Sequence, residues 1–413
     1  MKIIWTLVAC IVVLLVGSAF LSHRINRLRL EREIELAQVS IQRPTTIVET
    51  TDNRYLIAGV GWHATAVKVD GNGNVLWEYQ APTVSIRFDE SGKIIWENEA
   101  PQNPNAPQRQ QGDRWIETGF YGAVAARDGG VLLCGTLLDH ATSRSSGIIV
   151  RLDRDGHEVS RVLYYQYDFN NGIQKSFSTQ LNTCGQWGDG FVVTGQVIYD
   201  DPERKTAWGV VIMRLHEDGS VESQKLIQVA NTARISRPQV RADGGLSLTI
   251  DWTAFRLDKD GELLAKKELE PICHQADRIA PTDDSLRYVC TQAGATAYRK
   301  TEVIDLGSEL QTTSKKTYSP ENMTLQGGAL AYPDGALVLF GSTESPLMLR
   351  FFIPTVIEYA ADGSLAATYR FFRPWSDGWF VDGIATEQPD VLAGLRWKTS
   401  NSGSHIFVDF LKR

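Results

Sequence analysis

From residue 44 onward the apolar positions fall into short runs of strand length, each closed by a polar turn that carries aspartate and glycine. The phrase reads VKVDGNGNVLWEY at 67–79, IRFDESGKIIWEN at 86–98, VRLDRDGHEVSRV at 150–162, MRLHEDGSVESQK at 213–225 and FRLDKDGELLAKK at 255–267. It returns in looser form at 303–311 and 357–369. Aspartate caps such a turn with its side chain, and glycine takes the positive φ that reverses the chain. A second turn of the same kind stands one strand pair upstream, in ARDGGVLLCG at 126–135, WGDGFVVTG at 187–195, RADGGLSLT at 241–249 and YPDGALVLFG at 332–341. Each unit is therefore strand, tight turn, strand, longer loop, strand, tight turn, strand. That is the plan of a four-stranded propeller blade.

The pattern predicts an all-β chain, a β-propeller of about seven blades with six to eight compatible, over 46–98, 119–166, 176–228, 235–269, 273–317, 325–371 and 379–413. The first unit is overlong, because its two Asp–Gly hairpins can belong to separate blades. The last offers three strands only (380–386, 391–398 and 404–411), and residues 46–50 are expected to supply its fourth. Closing the ring in this way removes an exposed sheet edge.

The N-terminus follows another pattern. Residues 3–21 carry no charge over 19 positions, long enough to cross a hydrocarbon core of about 30 Å. A cleaved signal peptide, cut before Phe20, and an uncleaved anchor both fit. The anchor reading gives a transmembrane helix over 1–22, a polar juxtamembrane helix over 23–43 and the propeller over 44–413. Four arginines after the segment (Arg24, Arg27, Arg29 and Arg32) favour a cytoplasmic body. The very short basic start and the cysteines favour export. The expectation is a single-pass inner-membrane protein with its propeller in the periplasm. Cys273 and Cys290 fall on neighbouring strands and are the candidate disulfide; four reduced thiols, with Cys134 and Cys184, are the alternative.

Composition narrows the function only a little. Apolar residues at 43% and charged residues at 22% describe a globular chain, and a net charge of −7 gives no general basis for nucleic-acid binding. There is no phosphate loop, no His-Glu-x-x-His and no Cys-x-x-Cys, so no metal or cofactor is expected. Catalysis by residues gathered from separate blades leaves no such trace.

Trp77 and Trp96 stand four residues after Gly73 and Gly92, and this phrase resembles the quinoprotein-like propeller repeat. The resemblance covers the chain beyond residue 44 as a repeat type. It implies a propeller, in a group that includes membrane-associated scaffolds as well as quinone dehydrogenases. Later units place Ser160, Ser223 and Ala265 where the tryptophan would fall, and nothing commits residues to a quinone or its calcium. The sialidase Asp-box is excluded by its shorter spacings.

Loop economy points to a working face. The tight turns share one end of the blades, while the longer segments 139–147, 167–176, 200–207, 345–354 and 372–379 share the other. Loops on a rigid scaffold are where binding usually resides. The candidate binding residues are Arg144, Asp200, Asp201, Arg204, Lys205, Phe351, Phe352, Trp375 and Trp379, with no catalytic residue assigned. The expected function is a membrane-anchored binding or scaffold module for an envelope protein or glycan. The alternative is an envelope enzyme acting on a saccharide or other polar small molecule in the central channel.

Overall fold

The computed structural model describes residues 28–36, 39–61, 63–82, 85–88, 94–97, 118–139, 144–164, 166–169, 172–199, 207–229, 235–241, 243–251, 253–269, 273–278, 285–292, 300–318, 323–344, 352–371, 377–388, 390–400 and 403–413. Among the described residues the chain forms seven antiparallel sheets with four main strands each, numbered 1 to 7 in chain order and given from inner to outer; Gln166–Phe169 adds a short antiparallel strand to sheet 3 and Asp277–Arg278 a two-residue parallel one to sheet 6. Sheet 1 is Arg43–Glu49, Tyr55–Val60, Thr65–Val69 and Val75–Gln80; sheet 2 is Gly119–Ala125, Val131–Asp139, Arg144–Leu152 and Glu158–Tyr164. Sheet 3 is Gly172–Trp187, Gly190–Tyr199, Ala207–Leu215 and Val221–Val229; sheet 4 is Gln239–Val240, Leu246–Ile250, Thr253–Leu257 and Leu263–Glu268. Sheet 5 is Cys273–Gln275, Leu286–Gln292, Lys300–Leu306 and Thr312–Tyr318; sheet 6 is Met323–Ala331, Leu337–Glu344, Phe352–Tyr359 and Leu365–Arg370. Sheet 7 is Asp377–Ala385, Val391–Ser400, Gly403–Lys412 and, from the other end of the chain, Arg29–Glu35.

Each sheet packs on the next in chain order, and sheet 7 packs back on sheet 1. The arrangement is propeller-like. Its last contact is made by side chains, since no backbone ladder joins sheet 7 to sheet 1 among the described residues. Sheets 1 to 3 are further linked by single bridges, Val60 to Gly119 and Ser145 to Ser178.

Side-chain alternation explains why the inner strands are apolar throughout rather than at every second residue. Successive strand residues point to opposite faces, and here both faces are covered. Tyr55 and Ile57 pack between sheets 7 and 1, while Leu56 and Ala58 pack between sheets 1 and 2. Seven apolar clusters result among the described residues, one at each junction between neighbouring sheets.

Several expectations are corrected here. The described residues contain no helix, so none is long and apolar enough to cross a membrane. The transmembrane helix, the membrane anchor as a partner, and the inner-membrane, periplasmic placement built on it are therefore not carried forward; residues 3–21 themselves lie outside the described residues. The polar helix expected over 23–43 gives way to the strand Arg29–Glu35, paired antiparallel with Gly403–Lys412. Its arginines and glutamates suggest helical spacing, but Ile34 is buried between sheets 7 and 1, and Arg32 lays its guanidinium 4.2 Å from the Phe410 ring centre. Tertiary partners override local pattern in such a segment. The fourth strand of sheet 7 is thus 29–35 rather than 46–50, which lies largely in the inner strand of sheet 1. The second hairpin of the overlong first unit, Ser85–Phe88 with Ile94–Glu97, forms a separate two-stranded sheet.

Candidate functional site

The tight-turn end is fastened by a repeated device. A cation at the next-to-last position of the third strand reaches the aspartate of the first turn. Lys68, fully buried, donates to Asp52 at 3.0 Å and to the Arg154 carbonyl of sheet 2 at 3.3 Å. Arg151 grips both oxygens of Asp128. Burial pushes the Asp52 carboxyl up, but Thr50 and Lys68 together outweigh it and hold its pKa below the ordinary value. Asp128 is lowered in the same way, desolvation being outweighed by Arg151 and the Gly130 amide. The outer strands of sheets 1 to 5 each then clamp the following sheet. Trp77 Nε1 donates to the Arg154 carbonyl at 3.2 Å, and its ring lies where a Cβ on Gly156 (φ 87°) would approach to 2.6 Å. Ser160, at the matching position of sheet 2, donates to the Asp218 carbonyl at 2.6 Å. The residue four places after the turn glycine is thus a clamp in both forms.

At the centre lies a polar bridge that sequence reasoning missed. Asp382, on the inner strand of sheet 7, accepts from Thr46 Oγ1 at 2.9 Å, the Ile47 amide at 3.0 Å and Arg237 at 3.1 Å through one oxygen. Its other oxygen accepts from the Gly383 amide at 2.9 Å. Arg237 also reaches Thr46 Oγ1 at 3.3 Å. Thr46 belongs to sheet 1, and Arg237 precedes the inner strand of sheet 4. Sheet 4 lies three steps from sheet 7 in one direction and three from sheet 1 in the other. A side chain joining them crosses the middle of the molecule. The bridge pairs residues 145 positions apart, and no local motif marks either end.

Three of the nine sequence-predicted binding residues are described, all at the loop end. Arg144 opens the third strand of sheet 2 opposite Asp139, and Phe352 opens that of sheet 6 opposite Glu344. Trp379 stands opposite Trp397 in sheet 7, their rings edge to face at 4.8 Å. Trp397 Nε1 is buried and has no acceptor. The three occupy three different sheets. Asp200, Asp201, Arg204, Lys205, Phe351 and Trp375 lie outside the described residues. Nor is the loop end long throughout: sheet 4 closes there in a tight turn through Asp251, at φ 53°.

Cys273 is the register partner of Cys290, and Cys290 is disulfide-bonded. Cys134 and Cys184 are free thiols buried between sheets 2 and 3. Burial, reinforced by Cys184, pushes the Cys134 thiol well above its usual pKa, which keeps it protonated and inert. Among the described residues no group of acids, histidines and cysteines is placed to hold a metal ion.

No protein-family model matches the chain, and no curated protein matches it. Solved structures do. A protein of unknown function from Bacteroides caccae is 12% identical over 77% of this chain and 94% of its own, with a TM-score of 0.42. The WD40 domain of Neurospora crassa Pan2 is 9% identical over 92% of this chain and 95% of its own, with a TM-score of 0.49. The β-propeller domain of the Trilobed protease from Pyrococcus furiosus is 9% identical over 68% of this chain and 82% of its own, with a TM-score of 0.39. This chain resembles known β-propeller folds, and the likeness stops at architecture.

Proposed function

We propose that the chain is a binding scaffold that takes a protein or other ligand on the loop end of its sheets. The observation that supports this reading is the closed bridge at the centre. A propeller enzyme working in its central channel needs a free acid, base or nucleophile there. Here the Asp382 carboxylate is committed to four donors, and Arg237 is committed to it. Recognition then falls to the outer surfaces, where Arg144, Phe352 and Trp379 sit at the ends of fixed strands. Aromatic and arginine anchors are the side chains that dominate binding energy when covered by a partner.

The test is capture of partners by the tagged chain, with cross-linking and identification of what is held. Trp379→Ala combined with Arg204→Ala is expected to weaken capture by the folded fraction about tenfold. Asp382→Asn should lower the melting temperature and leave capture by the folded fraction intact. If Asp382→Asn removes capture, or abolishes a turnover activity, without touching stability, the working site is central and the scaffold reading fails.

A further inference from the structure

Residues 64–81 and 83–100 are two copies of one phrase, ATAVKVDGNGNVLWEYQA and TVSIRFDESGKIIWENEA. Asp70, Gly73, Trp77, Glu78 and Ala81 recur as Asp89, Gly92, Trp96, Glu97 and Ala100. Val67, Lys68, Val75 and Leu76 are exchanged only for Ile86, Arg87, Ile94 and Ile95. Of the repeat phrases, these two alone carry the tryptophan. The first copy supplies the third and outer strands of sheet 1. The second belongs to none of the seven sheets: Ser85–Phe88 and Ile94–Glu97 pair only with each other among the described residues. A lone two-stranded hairpin is marginal in water.

Register distinguishes a docked hairpin from this one. Both copies start from the equivalent pair, Val69 opposite Val75 and Phe88 opposite Ile94. In sheets 1 to 6 the pairing of third and outer strands then takes a bulge at one fixed place, between Lys68 and Val69 in sheet 1 and between Arg151 and Leu152 in sheet 2. The pairing of Ser85–Phe88 with Ile94–Glu97 runs straight. It is the same unit without the mark of docking.

In the place of the first copy, the second keeps most of what holds that place. Buried Lys68 gives its ammonium to Asp52 and to the Arg154 carbonyl. Arg87 brings a guanidinium instead, and Arg151 already serves Asp128 in that way in sheet 2. A Cβ on Gly73 would collide with Ile34 of the outer strand of sheet 7, and the second copy has glycine there too. Trp96 restores the ring that Trp77 lays on Gly156. Two exchanges count against it. Asn98 lacks the Tyr79 hydroxyl that donates to Glu158 at 2.6 Å, and Phe88 is larger than the buried Val69. The first copy is therefore the favoured occupant.

We propose that 85–97 is a reserve hairpin, able to displace 65–80 from its place beside Tyr55–Val60, so that sheet 1 has two states. They differ in which copy is docked and which is displayed. Exchange breaks no covalent bond. It lengthens the loop after Val60 to 61–84, and the entropic penalty of a longer loop grows slowly. This device does not depend on the loop-end reading.

The test is a double-mutant cycle on the full chain, read as melting temperature. Arg87→Glu alone should change nothing. Lys68→Glu should cause a modest loss, because exchange brings Arg87 to Asp52. The two together should lose far more than the sum, although distant, independent sites normally add. Arg151→Glu, in a sheet without a reserve, should be costlier than Lys68→Glu. Additive losses, or a Lys68→Glu chain no more stable than the double variant, overturn the proposal. A covalent trap reads the exchange directly. Ala58 stands opposite Ala66, whose place Ser85 takes. With Lys68→Glu, Ala58→Cys and Ser85→Cys, oxidised glutathione should drive a disulfide between positions 58 and 85, seen by peptide mass mapping. Adding Arg87→Glu should remove it. A folded trap chain without that link overturns the proposal. So does a link that joins two chains, since the occupant would then be a second copy.

Discussion

Sheet 7 and sheets 1 to 6 solve the same problem with different means. In sheets 1 to 6 the outer strand follows the third along the chain, through a tight turn held by an aspartate in sheets 1 to 4 and 6 and by Gln311 in sheet 5. In sheet 7 the outer strand comes from the far end of the sequence and has no turn to hold it. What replaces the turn is buried charge. Arg396, 2% exposed, donates to Asp409 (0% exposed) at 2.6 Å and reaches Glu33 of the incoming strand. Its guanidinium sits 4.4 Å from the Phe371 ring centre and 4.1 Å from that of Phe407. Where the covalent link is missing, an ion pair enclosed by aromatic rings supplies the specificity of pairing.

The comparison can be broken most severely at Arg396. Arg396→Ala takes the guanidinium away from buried Asp409 and is expected to cost about 3–5 kcal/mol in urea unfolding, with Arg396→Lys costing less. Trp77→Ala attacks a clamp between two turn-closed sheets. It removes a packed ring and one hydrogen bond, for about 2 kcal/mol in the same assay. Should Trp77→Ala prove the costlier change, the dependence of sheet 7 on its ion pair has been misjudged. The acid limb sharpens the contrast further. Asp52 has a carboxyl held below its ordinary pKa, so its contribution is present above the unfolded value and is lost as pH falls through the lowered folded one. Asp52→Asn should flatten the fall of melting temperature with acid over that window; an unchanged acid limb would detach Lys68 from the stability of the turn. The smallest effect is expected at Lys225, whose pairing with Glu262 is an exposed contact between outer strand and neighbouring turn. Lys225→Ala should stay within about 0.5 kcal/mol. Independently of energetics, thiol titration of the denatured chain should count three of its five cysteines before reduction and all five after.

The repeated units were legible because their signals are local. Aspartate, glycine and a strand of four to nine apolar-rich residues lie within one turn of each other, so Asp153 to Gly156 or Asp258 to Gly261 can be read from sequence alone. Arg29–Glu35 was not legible, because its charged residues mimic helical pairing and its partner lies at Gly403–Lys412. The central bridge was hidden for the same reason. Arg237 and Asp382 each look like ordinary surface residues until the ring places sheet 4 opposite sheets 7 and 1. Loop length suggested one working face, yet sheet 4 closes at that end in a tight turn through Asp251, so length does not mark that end in every sheet.

The pairing of Arg29–Glu35 with Gly403–Lys412 also sets an order of events. On a ribosome the first of these strands emerges well before Gly403–Lys412, and waits for all of sheets 1 to 6 to be made before its partner appears. Sheets 1 to 6 can each form from local sequence as they appear. Sheet 7 waits, with Leu28 and Ile34 exposed in the meantime. Long-range pairings of this kind slow folding and leave apolar segments open to wrong partners. The pairing of these two strands is therefore expected to come late, and refolding should show a slow phase that a change at Glu33 lengthens and a change at Asp153 does not.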